Sequence, residues 1–121
     1  MSIGKQNLFI DGHWAPSESG KTHESLDPFT GGAAKRASAA AAADVERAVD
    51  VAQSAFGHWA SLPPSKRRQY LLAAADAVEA RASDIIEAIM TEMGGPAGWG
   101  KYNVKVLAEK LRLLQTAVIK V

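Results

Sequence analysis

The 121-residue sequence contains no cysteine. This absence excludes disulfide bonds, thiolate metal ligands and a cysteine nucleophile from these residues. The three histidines, His13, His23 and His58, are far apart in the sequence and share no ligand spacing, so that no metal site is predicted.

Neither charge nor hydrophobicity is concentrated in one stretch. Lys and Arg number 14, Asp and Glu number 13, and a net charge of +1 provides no attraction to nucleic acid or to an anionic membrane. The one local basic run, Lys66 to Arg68, is interpreted as solvated helix surface rather than a phosphate grip. No apolar run approaches the ~18 residues that span a bilayer, and residues 1–7 contain no apolar signal core. We therefore predict a cytoplasmic protein with no nucleic-acid and no membrane partner.

Residues 7–40 carry strand and turn signals. Asn7–Trp14 is predicted to form a strand that runs into a hairpin turn at Asp11 and Gly12, a dipeptide typical of tight turns between apolar residues. Thr22–Leu26 predicts a second strand, which a turn containing Pro and Gly closes over residues 27–32. The pattern allows a third strand over Ala33–Ala40, although its alanines favour helix.

From Asp44 onward, apolar residues recur at steps of three and four, which is the period of an amphipathic helix. The first helix is predicted to begin near Asp44, because a carboxylate suits the free N–H groups of a helix start. Pro63 and Pro64 separate it from a second helix, and a third runs from Ser83 to Gly94. The inward faces predicted for the three helices are Val45, Ala48, Val49, Ala52, Ala55, Phe56 and Trp59; Leu71, Ala74, Ala75, Val78 and Ala82; and Ile85, Ile86, Ile89, Met90 and Met93.

The last predicted helix has an apolar surface that is too wide for one neighbour to cover. A coiled-coil seam is the alternative interpretation, but the pattern is shorter than the three to four heptads that would favour one. The predicted fold class is α+β: a small antiparallel β-hairpin with about four α-helices and no parallel sheet. The two apolar stripes of the last helix are Val104, Leu107, Leu111, Leu114, Val118 and Val121, and Tyr102, Val106, Leu113 and Ala117.

Short motifs at the joints of these elements, in order and covering nearly the whole chain, resemble aldehyde dehydrogenases. Leu8–Trp14 is similar to the opening strand of that family, and Asp27–Gly31 is similar to the turn that follows it, usually Asn-Pro-x-Thr-Gly. Ala43–Trp59 resembles the first helix, and Pro64–Asp76 resembles the second. The resemblance implies that residues 1–121 are an incomplete N-terminal part of the cofactor-binding domain of the family's α/β fold, with no second domain.

Residues 99–104 narrow the resemblance to one branch of the family. The sequence from Trp99 to Val104 is similar to the Trp-x-x-Phe-Asn-Val of benzaldehyde, salicylaldehyde and vanillin dehydrogenases. Met93 stands where relatives often carry an acidic residue that helps to hold a monovalent cation, so that site is not carried over. The parent reaction implied by the resemblance is the oxidation of an aromatic aldehyde to its acid with NAD or NADP.

The family reaction needs groups that these residues do not supply. A thiolate attacks the aldehyde carbon, N–H groups stabilise the oxyanion, hydride passes to the nicotinamide, and a Glu activates water. The resemblance places the nucleophile, the Pro-Trp-Asn segment, and the Lys and Gly-x-Thr-x-x-Gly turn for the dinucleotide beyond residue 121. We therefore predict no catalytic and no cofactor-binding residue here, and no binding of NAD or NADP by this chain alone.

The resemblance leaves one wall of the substrate tunnel to this chain, formed by Trp99, Tyr102, Asn103 and Val106. Aromatic and apolar side chains suit a flat aromatic substrate, because rings pack through offset or edge contacts. Packing into the core is the alternative for Trp99 and Tyr102. A polar Asn103 among apolar neighbours requires a hydrogen-bond partner.

The glycine-rich stretch Gly94–Lys101 ends in Gly-Lys, as phosphate-binding loops do. Such a loop needs a preceding strand, a Ser or Thr after the Lys, and free backbone N–H groups. Here a predicted helix precedes it, Tyr102 follows it and Pro96 lacks the donor. A connection between two helices is therefore the favoured interpretation.

Two functions of different classes remain open at this point. The first is an incomplete aldehyde dehydrogenase, and the second is a standalone non-catalytic module that associates with a full-length relative through its uncovered apolar faces. The predicted partners are the remainder of the enzyme or a second copy of the chain. A small helical nucleic-acid binder has little support at a net charge of +1. The carboxylates Glu79, Asp84 and Glu87 flank Arg81 and are predicted to be solvated rather than catalytic.

Overall fold

A computed structural model describes the backbone of residues 7–117 and the side chains of residues 7–114. Its first element is an antiparallel hairpin of β1 (Leu8–Ile10) and β2 (His13–Ala15). Asp11 and Gly12 form the turn with φ of 55° and 75°. Positive values at both central residues are what a type I′ turn requires, and Asp-Gly is a favoured pair for it. The predicted hairpin is therefore confirmed.

A second antiparallel hairpin follows, formed by β3 (Thr22–Leu26) and β4 (Ala33–Ser38). Asp27 holds its loop, because its Oδ1 accepts a hydrogen bond of 2.8 Å from the backbone N–H of Phe29. The alanine-rich strand is confirmed, although it ends before the predicted Ala40. The two hairpins are separate two-stranded sheets.

Arg67 connects the first two helices, α1 (Ala42–Ser61) and α2 (Pro64–Ala80). Its Nη1 donates hydrogen bonds to the carbonyl oxygens of Ala60, at 3.1 Å, and Leu62, at 3.0 Å. These carbonyls lie at the end of α1, where no further helical N–H is available to pair with them. The sequence predicted that the basic run Lys66 to Arg68 is solvated surface. One of its members, Arg67, has the further role of capping the end of α1.

The remaining helices, α3 (Ala82–Met93) and α4 (Ala97–Ala117), are joined by a short loop. Gly94 ends α3 with φ of 66°, and its N–H donates to the carbonyl oxygen of Met90 at 3.2 Å. This is the left-handed conformation in which glycine commonly closes a helix. The predicted connection between two helices is confirmed, but residues 97–101 already belong to α4.

The small helical core lies where α4 packs against α2 and α3. The buried apolar side chains among residues 7–114 are Ala75, Val104 and Ala108. In α2 and α3, four of the predicted inward positions differ from the structure. Met90 and Met93, at the end of α3, are 45% and 62% exposed. Ala74 is exposed because α2 faces α4 through Ala75, one residue further round the helix, and Ala82 begins α3 instead of ending α2.

Helix α1 leaves most of its apolar face uncovered. It packs against β1, yet Val45, Val49 and Phe56 are 55%, 56% and 68% exposed. The periodicity correctly predicted which residues share a face. The described residues do not provide the cover that the prediction assumed.

Helix α4 is covered at Val104 and Ala108, a line of residues that coincides with neither predicted stripe. Val104 is buried, whereas Leu107 and Leu114 of the same predicted stripe are about half-exposed, and Tyr102 of the second stripe is exposed. Val118 and Val121 lie outside the described residues. With four helices and two small antiparallel hairpins, the predicted α+β class is confirmed.

Candidate functional site

The four residues predicted to line a tunnel, Trp99, Tyr102, Asn103 and Val106, lie on one face of α4, called here the Trp99 face. Their spacing of three, four and seven residues places them on neighbouring turns of the helix. Trp99 is 43% and Tyr102 63% exposed, while Asn103 and Val106 are half-buried. The face points away from the buried Val104. The structure therefore brings the four together on accessible surface.

The loop before α4 makes room for the indole of Trp99. A Cβ atom placed on Gly95 would lie 2.7 Å from Trp99 Cε3 and 3.1 Å from Ile89 Cγ2. Any larger residue at position 95 would thus displace the indole or the end of α3. Gly95, which the sequence presents as part of a loop, is therefore a surface against which the indole of Trp99 packs.

Asn103 obtains its hydrogen bond from its own helix. Its Nδ2 donates to the carbonyl oxygen of Trp99 at 2.8 Å, one turn earlier. The partner that the sequence required is therefore local, and the amide is oriented by the same helical turn that presents the indole.

Arg112 fastens α4 to α2. Its Nη1 and Nη2 donate to both oxygens of Glu79 at 2.7 Å, and Nη2 also donates to Asp76 at 2.9 Å. The hydrogen bonds from Arg112 hold the pKa of Glu79 below its ordinary value. Those to Glu79, and then to Asp76, raise the pKa of the guanidinium, which stays charged.

Glu79 and Glu87 are exposed and Asp84 is partly exposed, as predicted for solvated carboxylates, but Glu79 has a partner that its position in the sequence does not indicate. Asp84 does lie beside Arg81, with Nε and Oδ2 3.5 Å apart. Glu79 pairs across the helices with Arg112 instead, 33 residues along the chain. Sequence spacing within one helix could not show a partner on another helix.

A second feature was not predicted as a pair: Ser17 and Asp44 are 4% and 2% exposed. Ser17 Oγ donates to Asp44 Oδ2 at 2.9 Å. The sequence placed Asp44 at a helix start, but nothing near Ser17 indicated that it would be buried. The hydrogen bond from the Ala41 N–H, which outweighs desolvation by burial, is the main reason that the pKa of Asp44 lies below its ordinary value.

Beside Asp44, β1 and α1 enclose an open apolar cleft of about 380 Å³. Among the residues with a described placement, no three His, Asp or Glu side chains converge as metal ligands would. No helix within the described range is long and apolar enough to cross a membrane. The residues that line the cleft are Leu8, Phe9, Ile10, Ala40, Asp44, Val45, Ala48, Val49 and Ala52.

Comparison with known proteins assigns the chain to a family. A model described as "Aldehyde dehydrogenase family" matches residues 14–121. The chain is 42% identical over 105 residues to a vanillin dehydrogenase of Pseudomonas fluorescens, covering 87% of this chain and 22% of that protein. It is 32% identical over 108 residues to a salicylaldehyde dehydrogenase of Pseudomonas putida, again covering 22% of the relative.

Solved structures agree with the sequence relatives. The fold matches a salicylaldehyde dehydrogenase from Pseudomonas putida G7, complexed with salicylaldehyde, with a TM-score of 0.87 and 31% identity, over 91% of this chain and 23% of that one. It also matches PnpE in complex with nicotinamide adenine dinucleotide, with a TM-score of 0.86 and 30% identity, over 91% of this chain and 23% of the other. The chain thus spans less than a quarter of the length of these relatives. It belongs to the aldehyde dehydrogenase family.

Proposed function

We propose that this chain is the N-terminal part of an aldehyde dehydrogenase that oxidises an aromatic aldehyde to its carboxylic acid with NAD or NADP. The similarity to vanillin and salicylaldehyde dehydrogenases supports the substrate class. The relative that was solved with nicotinamide adenine dinucleotide supports the cofactor. A cytoplasmic location stays a prediction.

The role proposed for the chain within that enzyme is one wall of the aldehyde tunnel. The observation that carries it is the exposure of Trp99 and Tyr102 together on one face of α4. Indole and phenol rings offer flat apolar surfaces on which an aromatic substrate packs by offset or edge contacts. Asn103, anchored through its Nδ2, can present its amide oxygen as an acceptor beside them.

The contacts that hold α4 in place support this role. The Trp99 face is held at one end by the close approach of the indole to Gly95 and further along by the cross-helix hydrogen bonds of Arg112. A wall that orients substrate must be rigid, because small displacements of reacting groups lower rates strongly. The packed opposite side of α4 provides that rigidity.

The 121-residue polypeptide alone is proposed to be inactive and to bind no dinucleotide. It contains no cysteine to act as the nucleophile. A second candidate function is a non-catalytic module that binds a full-length relative. The exposed apolar faces of α1 and α4 favour association with another protein surface, but they fit the remainder of one enzyme equally well.

The test of the tunnel wall uses a chimera in which residues 14–121 replace the matching segment of the Pseudomonas putida salicylaldehyde dehydrogenase. In this chimera, Trp99→Ala and Tyr102→Ala should each raise KM for salicylaldehyde about tenfold, the effect of losing roughly 1.4 kcal/mol of ring contact. KM for a short aliphatic aldehyde should change little. The matched control is Lys105→Ala, an exposed residue of α4 outside the Trp99 face. Equal losses with both aldehydes, or none, would contradict the proposed role.

A further inference from the structure

Ser17 and Asp44 are the buried polar side chains among residues 7–114. Neither belongs to the Trp99 face. A carboxylate that is 2% exposed needs several donors, because the loss of its hydration is otherwise costly. Asp44 therefore offers an observation that the proposed reaction does not explain.

The donors reach Asp44 from three parts of the chain. Ser17 Oγ donates at 2.9 Å and the backbone N–H of Glu18 at 3.1 Å, both from the loop between β2 and β3. The N–H of Ala41, just before α1, donates at 2.9 Å, and Arg47 Nη2, one turn into α1, lies 3.4 Å away. One carboxylate thus pairs with groups that lie 26 and 27 residues before it as well as with the start of its own helix.

The loop that Asp44 holds is the connection between the two hairpins. Fixing Ser17 and Glu18 against the start of α1 therefore fixes the point at which the chain passes from the first hairpin to the second. The second hairpin has contacts of its own with α3, through β4. Strand β1 lies over the first turns of α1, and Asp44 lines one end of the apolar cleft between them.

We propose that ionised Asp44 is a clasp that docks the loop between the two hairpins onto the start of helix α1, and that neutralising it releases the loop at residues 17–18. Protonation places a hydrogen on an oxygen that accepts from donors in the folded chain. The donors and the new O–H then oppose one another, and the loop loses its attachment. This inference concerns how the N-terminal unit is assembled and does not rest on the proposed reaction.

The charges around the clasp favour the ionised form. Arg47 on α1 and the backbone donors stabilise the anion, and Glu18, whose N–H is one of these donors, is the acidic residue of the loop. Strand β1 contributes Leu8, Phe9 and Ile10 to the adjacent cleft, and none of these titrates. The pKa of Asp44 lies below its ordinary value of 3.8. The contribution of the clasp is therefore fully present above pH 3.8 and is lost as the pH falls through the lowered pKa.

The experiment is hydrogen exchange with mass spectrometry on the chimera described above, in which residues 14–121 lie within a complete dehydrogenase, so that the measurement does not depend on how the isolated polypeptide folds. Asp44→Asn keeps the shape of the side chain and removes its charge. We expect protection of the Glu18 and Ala41 amides to fall about tenfold or more, as for an opened loop, while α2 and α4 keep theirs. The control is Asp50→Asn, which neutralises an exposed carboxylate on the same helix and should leave both amides unchanged.

A second measurement separates the clasp from a general loss of folding. In the chimera with no further substitution, protection at Glu18 should be lost with a midpoint below pH 3.8, the ordinary pKa of the carboxyl group. Ser17→Ala removes one donor and should move that midpoint upward, toward the ordinary value. Unchanged exchange at Glu18 in Asp44→Asn, an equal loss of protection in α2 and α4, or an unmoved midpoint in Ser17→Ala would each overturn the proposal.

Discussion

Arg112 spans two helices with one side chain. It donates to both oxygens of Glu79 and to Asp76, so its planar guanidinium is used in the bidentate geometry that a lysine cannot reproduce. The side chain of Arg112 is 36% exposed, and those of Asp76 and Glu79 are more exposed. Solvent screening therefore weakens each ion pair. Its importance lies in geometry, because it joins α2 to the helix that carries the Trp99 face.

We predict that Arg112→Met lowers the midpoint of thermal unfolding more than Lys105→Met, which removes a longer pair of 3.8 Å with Glu109 within α4. The difference should shrink in 1 M salt, where screening reduces exposed ion pairs. The difference should also shrink in acid. Arg112 lowers the pKa of Glu79, so the contribution of the ion pair to stability is lost as the pH falls through that lowered pKa. Circular dichroism melts at two salt concentrations test this. A loss that is insensitive to salt and pH would assign the effect to packing of the aliphatic part of Arg112.

The residues that sequence reasoning missed have partners far along the chain. Asp44 was recognised at a helix start by its local pattern, but its bond to Ser17 joins residues 27 positions apart. Arg112 and Glu79 are 33 positions apart. Periodicity within a helix reports only which residues share a face. Packing between elements decides which of their side chains come into contact, and no local sequence pattern predicts that packing.

At the scale of elements, the turn and break residues made the order of strands and helices predictable. Asp11 and Gly12 make the first hairpin turn, Pro64 opens α2 and Gly94 closes α3, each for a conformational reason visible in the sequence. The alanine-rich boundaries were harder. Residues 33–43 contain both the end of β4 and the start of α1, and alanine marks neither strand end nor helix start.

Gly94 and Gly98 provide a matched pair for testing the end of α3. Gly94 has φ of 66°, and a Cβ there would lie 2.9 Å from Pro28 Cγ. Gly94→Ala should therefore destabilise the chain by about 1–2 kcal/mol, the usual penalty for a left-handed alanine. Gly98 lies in α4 with no heavy atom near a new Cβ, so Gly98→Ala should be neutral or stabilising by up to ~1 kcal/mol. Urea unfolding of both variants measures the two shifts, and the same sign for both would contradict this account.

At the scale of the whole molecule, the described residues bury few large side chains. The helical core contains Ala75, Val104 and Ala108, while aromatic residues such as Phe29, at 92%, and Phe56, at 68%, are exposed. In the relatives, the matching region is less than a quarter of the chain. Faces that the sequence marks as apolar are therefore open among the residues that the structure describes.

Catalysis is the first property to test on the isolated 121-residue polypeptide. We predict no oxidation of vanillin or salicylaldehyde with NAD or NADP, because a sequence without cysteine cannot form the covalent intermediate. Loss of a nucleophile lowers kcat by several orders of magnitude in enzymes where it has been measured. Reduced cofactor is followed by absorbance, with the Asp50→Asn protein purified in parallel to detect contaminating host enzymes. Turnover that persists through repeated purification and differs between variants of the Trp99 face would contradict the prediction.

Association is the second property, and it follows from the uncovered faces. Val45, Val49 and Phe56 on α1 are each more than half exposed, and a fully uncovered apolar side chain forgoes about 1.5–3 kcal/mol of burial. Several such residues rival the ~5–15 kcal/mol that a domain has as net stability. The two hairpins add open strand edges, which pair readily with other chains. We therefore predict that the isolated polypeptide self-associates or is only partly folded.

Light scattering over a concentration series, together with denaturant unfolding, measures this association directly. Phe56→Lys should lower the apparent mass at a given concentration, because it places a charge in the middle of the exposed face of α1. Ser54→Lys, at an exposed polar position on the opposite side of the same helix, adds the same charge outside that face and should leave the mass nearly unchanged. If the wild type is instead a monodisperse monomer with a single cooperative transition, the apolar faces find cover within the chain. The non-catalytic module would then be the better proposal, since a chain that folds alone needs no remainder of an enzyme to complete it.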